Sequence, residues 1–165
     1  MPLAPVVVDP SDLPLESFSD PSFGTVHWRT LFSGDRTATA SMTCGLATLD
    51  PGGHLALHRH APPEVYFGVS GTARIVVDGA SHLLRPGTAV YIPGNAVHGI
   101  FADDGPASFF YVFARDSFAE VEYNFLPEAA PDVARAIAVS HDHPPVHPAL
   151  DELDVTPGAE SPSPN

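Results

Sequence analysis

The sequence predicts an all-β fold, a small barrel or a sandwich of two sheets, and three observations predict it. Between about Val26 and Phe125, short runs rich in β-branched and aromatic residues alternate with turns containing Gly or Pro, the pattern of an antiparallel β architecture. One of those turns, Asp78-Gly79 within TARIVVDGASHLL, is the strongest hairpin signal in the chain, because a two-residue loop needs left-handed backbone that Asp and Gly tolerate. Almost no stretch carries a helical apolar period. The exception is PDVARAIAV (131–139), which predicts a short C-terminal helix with Pro131 in its first turn.

The elements follow in order. Residues 1–25 read as an N-terminal arm, 26–125 as the barrel and 126–165 as a C-terminal extension. In the barrel, TATASMTCGLATLD runs into Pro51-Gly52-Gly53, EVYFGVS ends at Gly71, and TARIVV and ASHLL flank Asp78-Gly79. Pro86-Gly87 then precedes TAVYI, Pro93-Gly94-Asn95 precedes AVHGIFA, and SFFYVFA and EVEYNF complete the set. The extension from Leu126 carries seven carboxylates, one arginine and eight prolines and ends in TPGAESPSPN. That is the composition of a Pro-rich acidic tail, its last part expected to be disordered.

At 165 residues, 44% of them hydrophobic, the chain is long enough for one domain with a real core. Seven Lys+Arg against 20 Asp+Glu give a net charge of −13. Without a basic stripe to neutralise phosphates, the chain is not expected to bind nucleic acid. The same field repels free anions unless a local cation offsets it. No apolar run approaches the ~20 residues of a membrane span. The opening MPLAPVVVDPSDLP lacks the basic and long apolar segments of a secretory leader. With Cys44 as the single cysteine, no intrachain disulfide is available and a cytoplasmic location is the expectation.

The chemistry concentrates in HRHAPPEVYFGVSG, residues 58–71. Side chains of a strand alternate faces, so His58 and His60 share one face, as do Glu64 and Tyr66 on the next run. His98 lies where a further strand begins after the turn at 93–95. Three neutral imidazoles and a carboxylate suit one divalent transition metal per chain: iron, manganese, nickel, cobalt or zinc. Coordination also removes the cost, several kcal/mol, of burying an unpaired carboxylate.

These residues stand at the spacing of a known pattern. Residues 52–71 fit G-x5-H-x-H-x3-E-x6-G through Gly52, His58, His60, Glu64 and Gly71. Residues 87–98 fit much of G-x5-P-x-G-x2-H-x3-N through Gly87, Pro93 and His98, with Asn95 where glycine is usual and Ala102 where asparagine is usual. Asn tolerates positive φ better than most residues, so the turn at Asn95 can form. In both motifs the chain resembles the cupins. The resemblance implies a double-stranded β-helix barrel with one metal inside, in a family whose members often pair as homodimers.

Tyr66 is the informative extra residue. A cation nearby favours phenolate, and a phenolate beside an open metal position can act as a general base; otherwise the ring simply packs. The set His58, His60, Glu64, Tyr66 and His98 resembles that of cupin-type dimethylsulfoniopropionate lyases. That resemblance implies β-elimination on a small carboxylate substrate, with Tyr66 removing the proton next to the carboxylate and dimethyl sulfide leaving from the next carbon to give acrylate. Tyr91 and Phe113 are the expected substrate contacts; His54, four residues before His58, is either a further contact on the shared inner face or, the favoured reading, a histidine of the outer rim. A cationic sulfonium suits aromatic faces. Two other readings use the same shell: an iron-dependent cupin dioxygenase, which needs oxygen, and a non-catalytic cupin that binds a small ligand. His27 and His82 read as surface residues, Arg74 as outward-facing, Cys44 as a small buried side chain, and HDHPPVH (141–147) as a solvated segment.

Overall fold

The computed structural model describes residues 4–127. The described chain has nine strands, β1 (Glu16–Ser17), β2 (His27–Phe32), β3 (Thr43–Leu49), β4 (His54–Arg59), β5 (Glu64–Val77), β6 (Ala80–Leu84), β7 (Ala89–Ile92), β8 (His98–Phe113) and β9 (Asn124–Phe125), with two single-turn 3-10 helices at Pro10–Asp12 and Phe118–Glu120. No α-helix occurs among the described residues. The helix expected at 131–139 and the Pro-rich tail lie outside them.

The spine of the sheet is the antiparallel pair β5–β8, with Glu64 opposite Phe113 at one end and Val77 opposite His98 at the other. The free edge of β8 takes β3 along its second half and β4 along its first. β2 and then β1 continue outward from β3, β9 flanks β4, and β6 and β7 pair the two halves of β5.

The separate runs of the sequence are fused here. EVYFGVS and TARIVV form one strand of 14 residues, and AVHGIFA and SFFYVFA one of 16. Gly71 explains the difference. Its φ of 64° is accommodated by register shifts at Gly68/Ser70 and Gly71/Ala73, bulges that bend the strand without ending it. A Cβ at Gly71 would collide with the Pro106 carbonyl of β8, so only glycine lets the two strands approach there. The bends curl the sheet around one interior.

Other turns follow their chemistry. Asp78 and Gly79 have φ of 46° and 82° and join Val77 to its partner Ala80 as a two-residue hairpin loop. Asn95 takes a φ of 64°, the left-handed turn that the glycine of the motif would supply, and its N–H donates to the His60 carbonyl at 2.8 Å. EVEYNF is mostly not strand. Ser117 caps the 3-10 turn before it, its Oγ accepting from the Ala119 N–H, and only Asn124–Phe125 pairs.

Leu49, Ile75, Ile92, Ile100, Phe109 and Phe113 are buried inside the curl, each contributing about 1.5–3 kcal/mol. In the same interior lie four polar side chains, His58, His60, Glu64 and His98, each at most 2% exposed. Among the described residues no helix is long and apolar enough to cross a membrane.

Candidate metal centre and active site

A register shift in β4 aims the site. Leu55 pairs with Ile100, yet His58 pairs with His98, so three residues of β4 span two of β8 and the inward parity changes between them. Leu55 and His58 both point in, and His58 and His98 lie directly opposite on the same face. His54 therefore sits on the outer face, its ring parallel to Phe101 at 6.2 Å and 3°. Of the two places that its spacing allows, His54 takes the outer rim, because this bulge changes the parity before His58. His60 follows just past the end of β4. The Pro62-Pro63 bend then returns the chain to Glu64, the first residue of β5.

The main chain fixes the imidazole tautomers. Nδ1 of His58 donates to the Ala56 carbonyl at 2.8 Å, Nδ1 of His60 to Pro62 at 2.9 Å, and Nδ1 of His98 to Ala96 at 2.9 Å. A carbonyl only accepts, so the proton is on Nδ1 and each Nε2 carries a lone pair. The three imidazoles bring ring nitrogens within 4.8 Å of one another. Glu64 Oε2 lies 3.3 Å from Nε2 of both His60 and His98. Nε2 of His58 and of His98 are buried without a well-formed hydrogen bond; the carboxylate oxygen near His98 is close but poorly aligned.

Lone pairs and a carboxylate oxygen thus converge in a buried cluster, an arrangement that repels itself unless a cation lies among them. At His58 protonation is a poor remedy, because burial first, and then the neighbouring His98 and His60, hold that imidazole well below its usual pKa. These four residues fit a divalent metal.

Two phenols border the cluster. Tyr66, two residues beyond Glu64 on the same face of β5, packs on Phe109 at 4.6 Å and lies 6.3 Å from His98, centroid to centroid. Burial and then the charge of Glu64 push its pKa well above the usual value. Tyr123 stacks on His58 at 4.9 Å and 27°, and the same two causes raise its phenol. Phe113 packs edge-on against His60 at 5.0 Å. Tyr91 is elsewhere. It pairs with Val65 on the outward face and is 64% exposed, so the substrate contact expected of it is corrected: the residues β7 turns inward are its neighbours Val90 and Ile92.

Beside the cluster lies a small apolar pocket of about 30 Å³, bounded by Phe18, Trp28, Phe109, Tyr111 and Phe118 and sharing Tyr66 and Tyr123 with the metal centre's surroundings. The sequence reading passed over Phe18, Trp28 and Phe118. Trp28 carried a usable signal, as the single tryptophan in an alternating run, HWRTLF, at the start of the barrel. Arg74 is outward, its guanidinium 5.2 Å above the Phe101 ring. The segment HDHPPVH lies outside the described residues.

Fold and site together define a cupin, and the chain belongs to that family: residues 45–113 match the Cupin domain. It is 42% identical over 129 residues to dimethylsulfoniopropionate lyase DddW of Ruegeria pomeroyi, a match spanning 78% of this chain and 85% of that protein. Among solved structures it resembles a chain from the crystal structures of the DMSP lyases RdDddP and RnDddQII, with a TM-score of 0.60 and 20% identity over 70% of this chain and 63% of that one. It also resembles the polyketide cyclase RemF of Streptomyces resistomycificus, with a TM-score of 0.65 and 17% identity over 83% of this chain and 95% of that one. At these identities the structural likenesses speak for the fold alone.

Proposed function

We propose that the chain is a metal-dependent carbon–sulfur lyase that cleaves dimethylsulfoniopropionate to dimethyl sulfide and acrylate. The observation that carries the reading is the buried convergence of three Nε2 lone pairs and Glu64 with a phenol two residues along the same strand. Its occurrence in a chain 42% identical to a dimethylsulfoniopropionate lyase points the chemistry toward elimination.

His58, His60, Glu64 and His98 would hold the metal, which when bound would supply Lewis acidity toward a substrate carboxylate and positive charge to offset both the burial and the Glu64 charge that hold the Tyr66 proton. Tyr66, as phenolate, takes the proton from the carbon next to the carboxylate. The C–H electron pair becomes the new carbon–carbon double bond, the C–S bond breaks, and its electrons leave on neutral dimethyl sulfide. A zwitterion that loses one proton thus yields the acrylate anion, and Tyr66 ends as a phenol. The rings of Trp28, Phe109 and Phe118 suit the sulfonium end of the substrate, and their apolar surfaces keep water from the reacting carbons.

The test measures headspace dimethyl sulfide from metal-loaded protein, wild type and Tyr66→Phe, with and without oxygen. The substitution is expected to lower turnover by roughly 10²–10⁴-fold at unchanged metal content, and removing oxygen to change nothing. Absence of dimethyl sulfide from wild-type protein that holds about one metal per chain would overturn the assignment.

A further inference from the structure

Among the described residues several strand margins carry no further pairing, those of β6 and β7 beyond β5 among them; the margin beside His58, between β1 and β9, is filled by rings. The outer edge of β4 is occupied in two parts. Residues 54–56 bind the end of the arm and the first barrel residue: Thr25 N–H and Val26 N–H donate to the His54 carbonyl at 2.8 and 3.1 Å, and Ala56 N–H to the Phe23 carbonyl at 2.9 Å. Residues 57–59 bind β9, with His58 opposite Phe125 and the Leu126 N–H donating to Leu57 at 2.9 Å. β1, at the other margin of the sheet, pairs only with β2, through Glu16↔Trp28 and Ser17↔His27. Glu16 anchors it by accepting from Thr30 Oγ1 at 2.7 Å and Arg36 Nη1 at 2.9 Å. Between β1 and β9 no strand pairing occurs among the described residues.

What fills that seam is Phe18, one residue beyond β1. Its ring meets Tyr123 at 6.0 Å and Phe125 at 5.5 Å, both edge-on, and Phe23 at 6.2 Å. Phe23 in turn stacks on Phe125 at 4.3 Å and is 37% exposed. On the inner side of the same rings, Tyr123 and Phe125 lie 4.9 and 5.4 Å from His58. Phe18 and Tyr123 also line the apolar pocket. The path from solvent to the imidazoles through the seam is therefore two rings thick and crosses no main-chain hydrogen bond, whereas elsewhere on β4 a ladder bars it.

We infer that this seam is the way into the metal centre and that Phe18 is its movable latch. Phe18 sits between a two-residue strand and the exposed turn 19–22, so its ring swings out by rearranging that turn while β1 keeps its anchor and β4 keeps both partners. Local opening of this kind costs far less than global unfolding, because few buried contacts are lost. The same passage serves metal and substrate. The inference rests on a metal at the imidazoles and not on the elimination reaction.

The test is the rate at which a small chelator such as dipicolinate strips the metal from full-length loaded protein. Phe18→Ala and Phe23→Ala are each expected to release metal roughly tenfold faster than wild type, since each deletes ring contacts that hold the seam. Tyr91→Ala, on the opposite outward face, is expected to match wild type. Circular dichroism melting verifies that each variant is folded. If Phe18→Ala does not fold, the half-exposed Phe23→Ala decides. Rates within twofold of wild type for the folded seam variants would overturn the seam as the passage. A wild-type protein that takes up no metal would overturn the metal centre itself, and absent dimethyl sulfide release from loaded protein would leave the seam standing while removing the lyase reading.

Discussion

His58 is fully buried and its imidazole stays neutral in the fold to lower pH than in the unfolded chain. Between its folded pKa and the ordinary value of about 6.5, the unfolded state binds more protons than the folded one. The stability that His58 contributes is thus present above about pH 6.5 and is lost as pH falls toward its folded pKa, whereas protons compete with a metal at His58 in the fold only near that lower pKa. The melting temperature of metal-free protein is expected to fall as pH drops below about 6.5; a melting temperature unchanged between pH 7 and pH 5 would contradict this. At this scale the sequence was most legible, because His58, His60, Glu64 and His98 combine identity with strand alternation. Tyr91 was misplaced, and His54 was left between two faces. A bulge changes parity without any mark at the residue itself, and the inward face of the short strand β7 is set by its neighbour β5.

Among the elements, the bent strand β5 carries the most information per residue. Gly71 combines a left-handed φ with a close approach to the Pro106 carbonyl. Gly71→Ala is expected to destabilise the fold by about 2–4 kcal/mol, from positive-φ strain plus displacement of β8. Urea denaturation of both proteins measures it, and a loss under ~0.5 kcal/mol would show that the approach is not required. The turn glycine was visible in the sequence, but it read as a strand end. Whether a Gly ends a strand or lets it bend depends on what lies opposite, here β8, some 35 residues away in the chain. By contrast the Asp78-Gly79 hairpin was fully legible, because its two partner strands are its immediate neighbours.

For the molecule as a whole, three of the four tyrosines, Tyr66, Tyr111 and Tyr123, belong to the interior. Tyr66, Tyr111 and Tyr123 each hold their proton to higher pH than in the unfolded chain, burial being the first cause in every case. Above the ordinary phenol pKa of about 10, the unfolded state sheds protons that the folded state keeps. Stability in metal-free protein is therefore complete below about pH 10 and falls as pH rises beyond it. Thermal melts between pH 9 and 11.5 are expected to show this drop, with ultraviolet absorbance reporting phenolate only as the fold opens; early phenolate in a still-folded protein would contradict it. The aromatic wall behind this behaviour was the least legible part. Phe18 meets Tyr123 and Phe125 across about a hundred residues of chain, and no local period announces a contact of that span.

The three carbonyls that hold the imidazoles belong to Ala56, Pro62 and Ala96, each two residues from its histidine. The hydrogen bonds at Nδ1 come from the main chain alone. The donor geometry is thus a property of three short backbone turns, beyond the reach of most point substitutions in the surrounding wall. Pocket residues can be exchanged one at a time, altering which molecule fits, while the same lone pairs remain aimed at the same spot. A protein arranged in this way can change its substrate without first having to rebuild its metal centre.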